Sequence, residues 1–170
     1  NKKNVEGMRL LASLGVAADV LDDAEFLLEK ALEFEPENNF ARHDYMVVLY
    51  QRQKYKQSLE QAKILLKKEP SNLKFKIAFA NQSIAVGDYK TALNIYEKAN
   101  KITPNDAELR LVHGHALKTI GKKEEAIEAY RKAYAARNDF GDAYWSMANL
   151  KTYKFTDQEV NLMTEKEAMS

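Results

Sequence analysis

The sequence contains no cysteine, and among its 170 residues there are only three prolines, six glycines and one tryptophan. The absence of cysteine excludes disulfide bonds, thiolate metal sites and cysteine nucleophiles. No apolar run approaches the roughly 18–20 residues that a membrane-spanning helix needs. The first fifteen residues also lack the apolar core and small-residue cleavage site of a signal peptide, so we expect a cytoplasmic protein with no membrane partner. Because residue 1 is asparagine rather than methionine, the chain is also compatible with a fragment excised from a longer protein.

Positive and negative charges are nearly balanced along the chain. The chain has 26 Lys and Arg residues and 25 Asp and Glu residues, which gives a formal net charge of +1. Such a chain has no bulk electrostatic attraction to nucleic acid, and we expect no nucleic-acid partner. The composition, 45% hydrophobic and 30% charged, is typical of a well-packed helical protein and argues against disorder.

A fixed period of 34 residues organises the sequence. Pro36, Pro70 and Pro104 follow one another at intervals of 34 residues, and the next step falls on Asn138, which also favours turns and caps. Between two of these prolines, residues 73–104 predict two amphipathic helices joined by a tight turn at Gly87. Small and large residues alternate on these helices in an order that recurs in each period: Phe79, Ala80 and Ser83 on the first, and Ala92, Tyr96 and Ala99 on the second. No segment has the alternation of a strand.

This period and this order of small and large residues resemble the tetratricopeptide repeat family over nearly the whole chain. The resemblance implies an all-α fold, a right-handed solenoid of antiparallel helix pairs in which each unit buries its apolar face only against its neighbours. Units are expected to begin near residues 5, 39, 73, 107 and 141, giving about four full repeats and a terminal half repeat in an array over residues 1–155.

A capping or connecting helix is predicted for residues 156–170. Thr156 and Glu159 have the spacing of a capping box, so the helix is expected to run from Asp157 to about Ala168. A modest apolar face is formed by Val160, Leu162 and Met163.

A narrower resemblance covers Asn138 to Met163, NDFGDAYWSMANLKTYKFTDQEVNLM. This segment is similar to the boundary in bacterial proteins that place tetratricopeptide repeats before a sulfotransferase domain. The resemblance implies that the chain is the repeat arm of such an enzyme. The phosphate-binding loop of the catalytic domain has no counterpart in these 170 residues.

In the tetratricopeptide family the first helices line a concave surface, and the resemblance implies which positions of each unit face that groove. Applied by register, these positions give the peptide-groove candidates Phe40, His43, Val47, Tyr50, Lys74, Ile77, Asn81, Ile84, Leu111, His115, Trp145 and Asn149. The middle of this set is apolar for a surface that faces solvent, which favours a docking site for a peptide or an amphipathic helix. The alternative is that several of these side chains pack against adjacent helices. For Trp145, packing in the terminal unit and a role as binding anchor are equally plausible.

Other functional patterns fail on spacing or on charge. His113 and His115 are two residues apart on a helix and therefore point to different sides, which excludes a shared metal ion. The carboxylate clamp of some tetratricopeptide domains would require basic residues or Asn at five positions, but one of these is Asp44. No phosphate-binding loop, HExxH motif or nucleophile triad has a recognisable spacing. We therefore predict no catalytic residue, no cofactor and no metal, and a chain that is not itself an enzyme.

The leading hypothesis from the sequence is a noncatalytic interaction module that binds a protein or peptide in the groove. Two alternatives stay open. One is the accessory arm of a sulfotransferase, which would position substrate or join two protomers. The other is a self-association module, a homo-oligomer in which uncapped ends or grooves of two copies pair.

Overall fold

The computed structural model describes residues 4–137 and 139–167, with side chains up to residue 165. Within these residues all regular secondary structure is helical, without a strand, which confirms the all-α prediction. The helices are α1 (Val5–Ala17), α2 (Leu21–Phe34), α3 (Asn39–Gln51), α4 (Tyr55–Lys68), α5 (Leu73–Ala85), α6 (Tyr89–Ile102), α7 (Ala107–Thr119), α8 (Lys123–Ala136), α9 (Gly141–Ala148) and α10 (Asp157–Glu167). Residues 1–88 form one compact unit, called unit 1 below, and residues 89–170 form a second, called unit 2. Asn138 and the predicted end of the last helix at Ala168 lie outside the described residues.

The first four odd-numbered helices begin at the 34-residue period, and the residue before each of them is Asn or Asp. Asn4, Asn38, Asn72 and Asp106 cap α1, α3, α5 and α7, and each side chain accepts a hydrogen bond from a backbone N–H in the first turn. An Asn or Asp cap of this kind stabilises a helix by about 1 kcal/mol relative to Ala. The cap of α9 is Phe140, which makes no such bond.

The turns inside the helix pairs repeat with the same period. Asp19, Gln53, Gly87 and Gly121 all have positive φ, between 59° and 85°. This left-handed conformation reverses the chain direction after one residue, and the N–H of the following residue donates to a carbonyl of the helix that ends there. Glycine adopts it without strain, whereas aspartate and glutamine do so at some cost.

Unit 1 is held by small clusters in which alanines allow helices to approach closely. One cluster joins α1, α2 and α3 through Ala12, Ala24, Leu28 and Val48. A second joins α3, α4 and α5 through Met46, Ala62, Leu65 and Ala78. A third joins α1, α2 and α3 at the other end of the helices, through Val5, Ala31 and Ala41. Each helix therefore packs mainly on its neighbours in sequence, as expected for a repeat.

A buried carboxylate also ties α2 to the end of α3. Glu25 is buried, and its carboxylate accepts hydrogen bonds from Arg52 at 2.5 Å and from Lys54 at 2.7 Å. Arg52 also pairs with Asp22 in the first turn of α2. Two cations around one carboxylate satisfy the charge that burial would otherwise leave unpaired.

The core of unit 2 depends on a glycine, Gly114, which has no side chain. Tyr130 of α8 is fully buried and lies against Gly114 of α7, where an added Cβ would stand 2.4 Å from the tyrosine Cε1. The ring therefore takes the space that a side chain at position 114 would occupy. Around it pack Leu117, Ala126, Ala129, Met147 and Leu150.

The last helix is anchored by a polar network and not by the apolar face that the sequence predicts. Val160 and Leu162 are exposed, whereas Glu159 is only 4% exposed. Its carboxylate accepts hydrogen bonds from the Tyr153 hydroxyl at 2.6 Å, the Thr156 N–H at 2.9 Å and Arg131 Nε at 3.0 Å. In return, Thr156 Oγ1 accepts from the Glu159 N–H at 3.3 Å, which completes the capping box. Burial alone would raise the pKa of Glu159, but these donors lower it to about 2.

Candidate functional site

The candidate site in unit 1 is built on the outward face of α3. Phe40, Val47 and Tyr50 are all exposed, and His43 lies among them. They follow one another at spacings of three and four residues, so they form a single stripe. On the opposite side of the same helix Ala41, Val48 and Leu49 are buried in the core. The fold therefore fixes α3 while leaving an apolar stripe exposed, and we call this stripe with the adjoining sides of α1 and α5 the α3 groove.

Three adjoining cavities lie along the α3 groove, and His43 lines all of them. The first, about 310 Å³, opens between α1 and α3, with Val16, Leu28 and Val47 among its apolar walls. The second, about 690 Å³, is bordered by Phe40, Lys74 and Phe75 near the helix starts. The third, about 290 Å³, lies between α3 and α5 and contains Val47, Ile77 and Asn81. Pockets that bind small groups commonly have volumes in this range or somewhat above it.

Charged groups at the first cavity neutralise one another. Arg9 donates to Asp44 and to Glu6, in both cases at 2.8 Å, and His43 Nδ1 lies 3.8 Å from Asp44. Burial would raise the pKa of Asp44, but the hydrogen bonds from His43 and Arg9 lower it below its ordinary value. Because Arg9 is already paired, it is a poor receptor for a peptide carboxylate, in agreement with the rejection of the clamp.

Not every groove candidate on α5 is equally accessible. Lys74 and Asn81 are exposed, whereas Ile77 and Ile84 are half-buried. Ile77 nevertheless lines the third cavity together with Lys74 and Asn81. Ile84 lines none of these three cavities.

The candidates in unit 2 have mixed surroundings. Trp145 and Asn149 are exposed. His115 is exposed too, but its Nε2 lies 3.0 Å from Ser146 Oγ and its ring meets the edge of Tyr130. Leu111 is half-buried and packs against two hydrophobic clusters of this unit, so it contributes to the core.

The two neighbouring histidines have different partners. His113 Nδ1 lies 3.1 Å from Asn100 Nδ2 on α6, whereas His115 contacts Ser146 on α9. Burial lowers the pKa of both imidazoles. Among the described residues no group of three or more histidines and carboxylates is arranged to hold a metal ion.

Leu10 and Asp44 are two contributors to the site that are not among the groove candidates derived from the sequence. Leu10 lines the first cavity, and Asp44 pairs with Arg9 there. Both lie at the sixth position of their unit, which faces the neighbouring helix as well as the cavity. The only sequence signal for a role of these two residues in the site is a hydrophobic or charged residue at that position.

No helix in the described part of the chain is long and apolar enough to cross a membrane. The cytoplasmic location and the absence of a nucleic-acid partner stay predictions.

Several solved structures resemble this chain in fold. TTC0263 from Thermus thermophilus, described as a thermophilic tetratricopeptide protein, is 21% identical, with 86% of this chain and 84% of that chain covered and a TM-score of 0.71. YrrB, described as a tetratricopeptide protein with an unusual peptide-binding site, is 22% identical over 85% of this chain and 74% of that one, with a TM-score of 0.64. MamA from Desulfovibrio magneticus RS-1 is 18% identical over 79% and 76%, with a TM-score of 0.67.

No curated protein matches the sequence at a significant level. The sequence model of one family, described as tetratricopeptide repeat, matches residues 10–139. That match ends where the sulfotransferase-like segment begins, so the resemblance of residues 138–163 to sulfotransferase proteins stays a prediction. With three quarters of its residues matched and with the paired helices described above, the chain belongs to the tetratricopeptide repeat family.

Proposed function

We propose that this chain is a noncatalytic protein-interaction module that binds a peptide or protein segment along the α3 groove. The observation that carries the proposal is the set of three cavities that adjoin His43 beside an exposed apolar stripe. Monomeric proteins rarely leave a contiguous apolar surface without a use, and such surfaces mark sites of association. Membership of a repeat family that folds into extended binding surfaces supports the same function.

The chemistry of the groove favours a ligand with apolar side chains. Apart from Ser13, the walls of the first cavity that do not belong to ion pairs are apolar, and its charged groups are already paired with each other. A ligand carboxylate there would meet Glu6 and Asp44, whereas a leucine-sized side chain would cover Val16 and Val47. Fully burying such a side chain contributes about 1.5–3 kcal/mol. Lys74 and Asn81 on α5 then offer polar contacts to the ligand backbone or to an acidic neighbour.

Binding along the groove is tested with peptides selected from a phage-displayed library on the immobilised chain. The informative variant is Val47→Glu, because Val47 lines both the first and the third cavity. The matched control is Ile64→Glu on α4, since Ile64 is 37% exposed, as is Val47, and lines none of the three cavities. We expect a selected peptide to bind Val47→Glu at least about tenfold more weakly, the loss of about 1.4 kcal/mol or more, and to bind the control with unchanged affinity.

Three outcomes contradict the proposal. Equal weakening by both variants would mean that added charge acts nonspecifically. Unchanged binding to Val47→Glu would place the peptide elsewhere. A selection that enriches no peptide sequence would contradict the proposal that the α3 groove binds peptides.

A second candidate function rests on the sequence segment from Asn138 to Met163. If this segment marks the boundary of a repeat arm, the chain supports a sulfotransferase domain by positioning substrate or by joining protomers. The sequence of the parent gene beyond Ser170 decides the matter. A strand followed by a phosphate-binding loop supports the arm, and a stop codon soon after Ser170 rules it out.

A further inference from the structure

The second cavity of the α3 groove, about 690 Å³, offers a ligand more hydrogen-bond acceptors than donors. The side-chain amides of its three asparagines already donate to carboxylates: Asn38 donates to Glu35, and both Asn39 and Asn72 donate to Glu69. The Asn39 Oδ1 is buried without a donor among the described residues. A ligand that supplies donors therefore suits this cavity better than one that supplies acceptors.

The Glu69 carboxylate is held in place in the wall of this cavity. Its Oε1 accepts from Asn39 Nδ2 at 2.7 Å and its Oε2 accepts from Asn72 Nδ2 at 2.8 Å. A carboxylate has about four lone-pair sites, so both oxygens can accept further hydrogen bonds. Glu69 forms no ion pair with any described residue, whereas the other carboxylate of the cavity, Glu37, pairs with Lys68 at 3.0 Å. Glu69 is thus a positioned charge that is open to a ligand.

The preceding repeat shows which part of this arrangement is structural. Glu35 lies one period before Glu69, and the two residues follow α2 and α4 with nearly the same backbone angles. Each of them also accepts a hydrogen bond from the asparagine three residues later, Asn38 or Asn72. Glu35 lines none of the three cavities. The place in a cavity wall and the second amide, from Asn39, therefore distinguish Glu69 from its structural counterpart.

Two phenylalanine rings border the same cavity. Phe40 is 71% exposed, and Phe75 is half-buried against the cluster that joins α3, α4 and α5. Phe40 already contacts one guanidinium, since Arg9 Cζ lies 5.3 Å from its ring centroid. Arg9 lines the first cavity and not the second, so the part of the ring that borders the second cavity is not covered by it. A guanidinium is attracted both by an aromatic ring and by a carboxylate.

The α3 groove as a whole carries an excess of negative charge. Its cavities are lined by four carboxylates and two cations: Glu6, Glu37, Asp44, Glu69, Arg9 and Lys74. One negative charge remains in excess even when Lys68, the partner of Glu37, is counted. The starts of α3 and α5 would favour an anion, but the side chains of Asn38 and Asn72 already cap them. Charge complementarity therefore favours a cationic group in the ligand.

We propose that the second cavity receives an arginine side chain of the peptide that binds the α3 groove, with its guanidinium against Glu69 and beside Phe40. This inference rests on the proposed function and adds the chemistry of one ligand residue. Arginine fits better than lysine because its planar fork can donate to both carboxylate oxygens, whereas an ammonium is a point charge.

Peptides selected on the wild-type chain by phage display give the first test. We expect the enriched sequences to contain an arginine at a fixed distance from their apolar residues. One such peptide, with blocked termini and with this arginine as its only charged side chain, is then compared with its citrulline analogue, which has nearly the same shape but no charge. The citrulline peptide should bind the wild type at least about threefold more weakly, because charge-assisted hydrogen bonds are lost.

The informative variant of the chain is Glu69→Gln, and its matched control is Glu35→Gln. The arginine peptide should bind Glu69→Gln at least about threefold more weakly and the control with unchanged affinity, whereas the citrulline peptide should not distinguish Glu69→Gln from the wild type. Lys74→Gln decides the sign of the ligand charge, because Lys74 lines the same cavity. The arginine peptide should bind Lys74→Gln as tightly as the wild type or more tightly, since a like charge is removed.

The failure of this inference is seen separately from the failure of the proposed function. Enriched peptides that lack arginine, or an arginine peptide that binds Glu69→Gln as well as the wild type, overturn the arginine site, and the groove itself stands if Val47→Glu still weakens binding. Equal weakening by Glu35→Gln assigns the loss to the helix starts and also overturns the site. Acidic peptides that are weakened by Lys74→Gln assign the cavity to an anion instead. Peptides that bind Val47→Glu as well as the wild type contradict the groove, and the arginine site with it.

Discussion

Gly114 offers a direct test of how tightly the helices of unit 2 are packed. Replacing it by alanine would place a Cβ 2.4 Å from Cε1 and 2.7 Å from Cδ1 of Tyr130, whereas ordinary contacts begin at about 3.4 Å. The Tyr130 ring would have to retreat by about 1 Å. Because this ring is fully buried among neighbours from α7, α8 and α9, it has no free space to enter.

Two opposing effects decide the size of the change. Alanine is favoured over glycine in the interior of a helix by about 1 kcal/mol. Forcing an extra methyl group into a filled core costs about 1–3 kcal/mol. We therefore expect Gly114→Ala to lower the free energy of unfolding by a net amount of up to about 2 kcal/mol, although an alanine in the helix is intrinsically stabilising.

Urea denaturation followed by far-UV circular dichroism measures this difference. Gly141→Ala is the control, because apart from its chain neighbours and its own helix backbone no atom lies within 4 Å of the Cβ that it would add. A double-mutant cycle isolates the clash. In the background of Tyr130→Leu, where the ring is gone, Gly114→Ala should stabilise the protein by up to about 1 kcal/mol, so the effect of the same substitution changes sign. A Gly114→Ala variant that is more stable than the wild type in the presence of Tyr130 would refute the close packing on which this reasoning depends.

Two further predictions concern buried polar groups of unit 2. The Tyr130 hydroxyl is buried without a hydrogen-bond partner among the described residues, and burial raises its pKa to about 12. Tyr130→Phe should therefore leave the stability measured by urea denaturation unchanged or raise it by about 1 kcal/mol. A loss of stability of more than about 1 kcal/mol would show that the hydroxyl has a partner. The pKa of Glu159, about 2, lies below the value of about 4.5 for an unperturbed Glu, so its contribution to stability is complete above pH 4.5 and is lost as the pH falls toward 2. Glu159→Gln should thus weaken the protection of α10 amides against hydrogen exchange by about 1–3 kcal/mol at neutral pH and by much less near pH 2. An equal loss of protection at both pH values would contradict the ionic role of this residue.

The repeat was predictable because its determinants are local and periodic. Prolines at a 34-residue interval and the order of small and large residues predict helix pairs, and the helix starts recur at that interval. The same period could also have located the caps, since Asn4, Asn38, Asn72 and Asp106 are separated by the same number of residues. Among these features, the caps depend only on contacts within one turn of helix.

The site and the last helix were harder to predict because they depend on contacts between distant residues. The capping-box spacing at Thr156 indicates a helix start, but the role of Glu159 comes from Arg131, which is 28 residues away in sequence. Likewise, register alone places Phe40 and Leu111 in one groove, yet Phe40 is exposed and Leu111 packs in the core of unit 2. Exposure of a helical position depends on which neighbour covers it, and the sequence of that helix does not contain this information.

The central claim is that unit 1 binds ligands through the α3 groove, and a footprint of the bound peptide tests it most directly. Methyl-resolved nuclear magnetic resonance spectra of the chain, recorded with and without a peptide selected on the wild type, report contacts at individual side chains. The account predicts the largest shifts at Val16, Val47 and Ile77, with Ile64 and Ile102 unaffected. Shifts confined to Ile64, Ile102 or the methyl groups of unit 2, with Val47 unchanged, would contradict it.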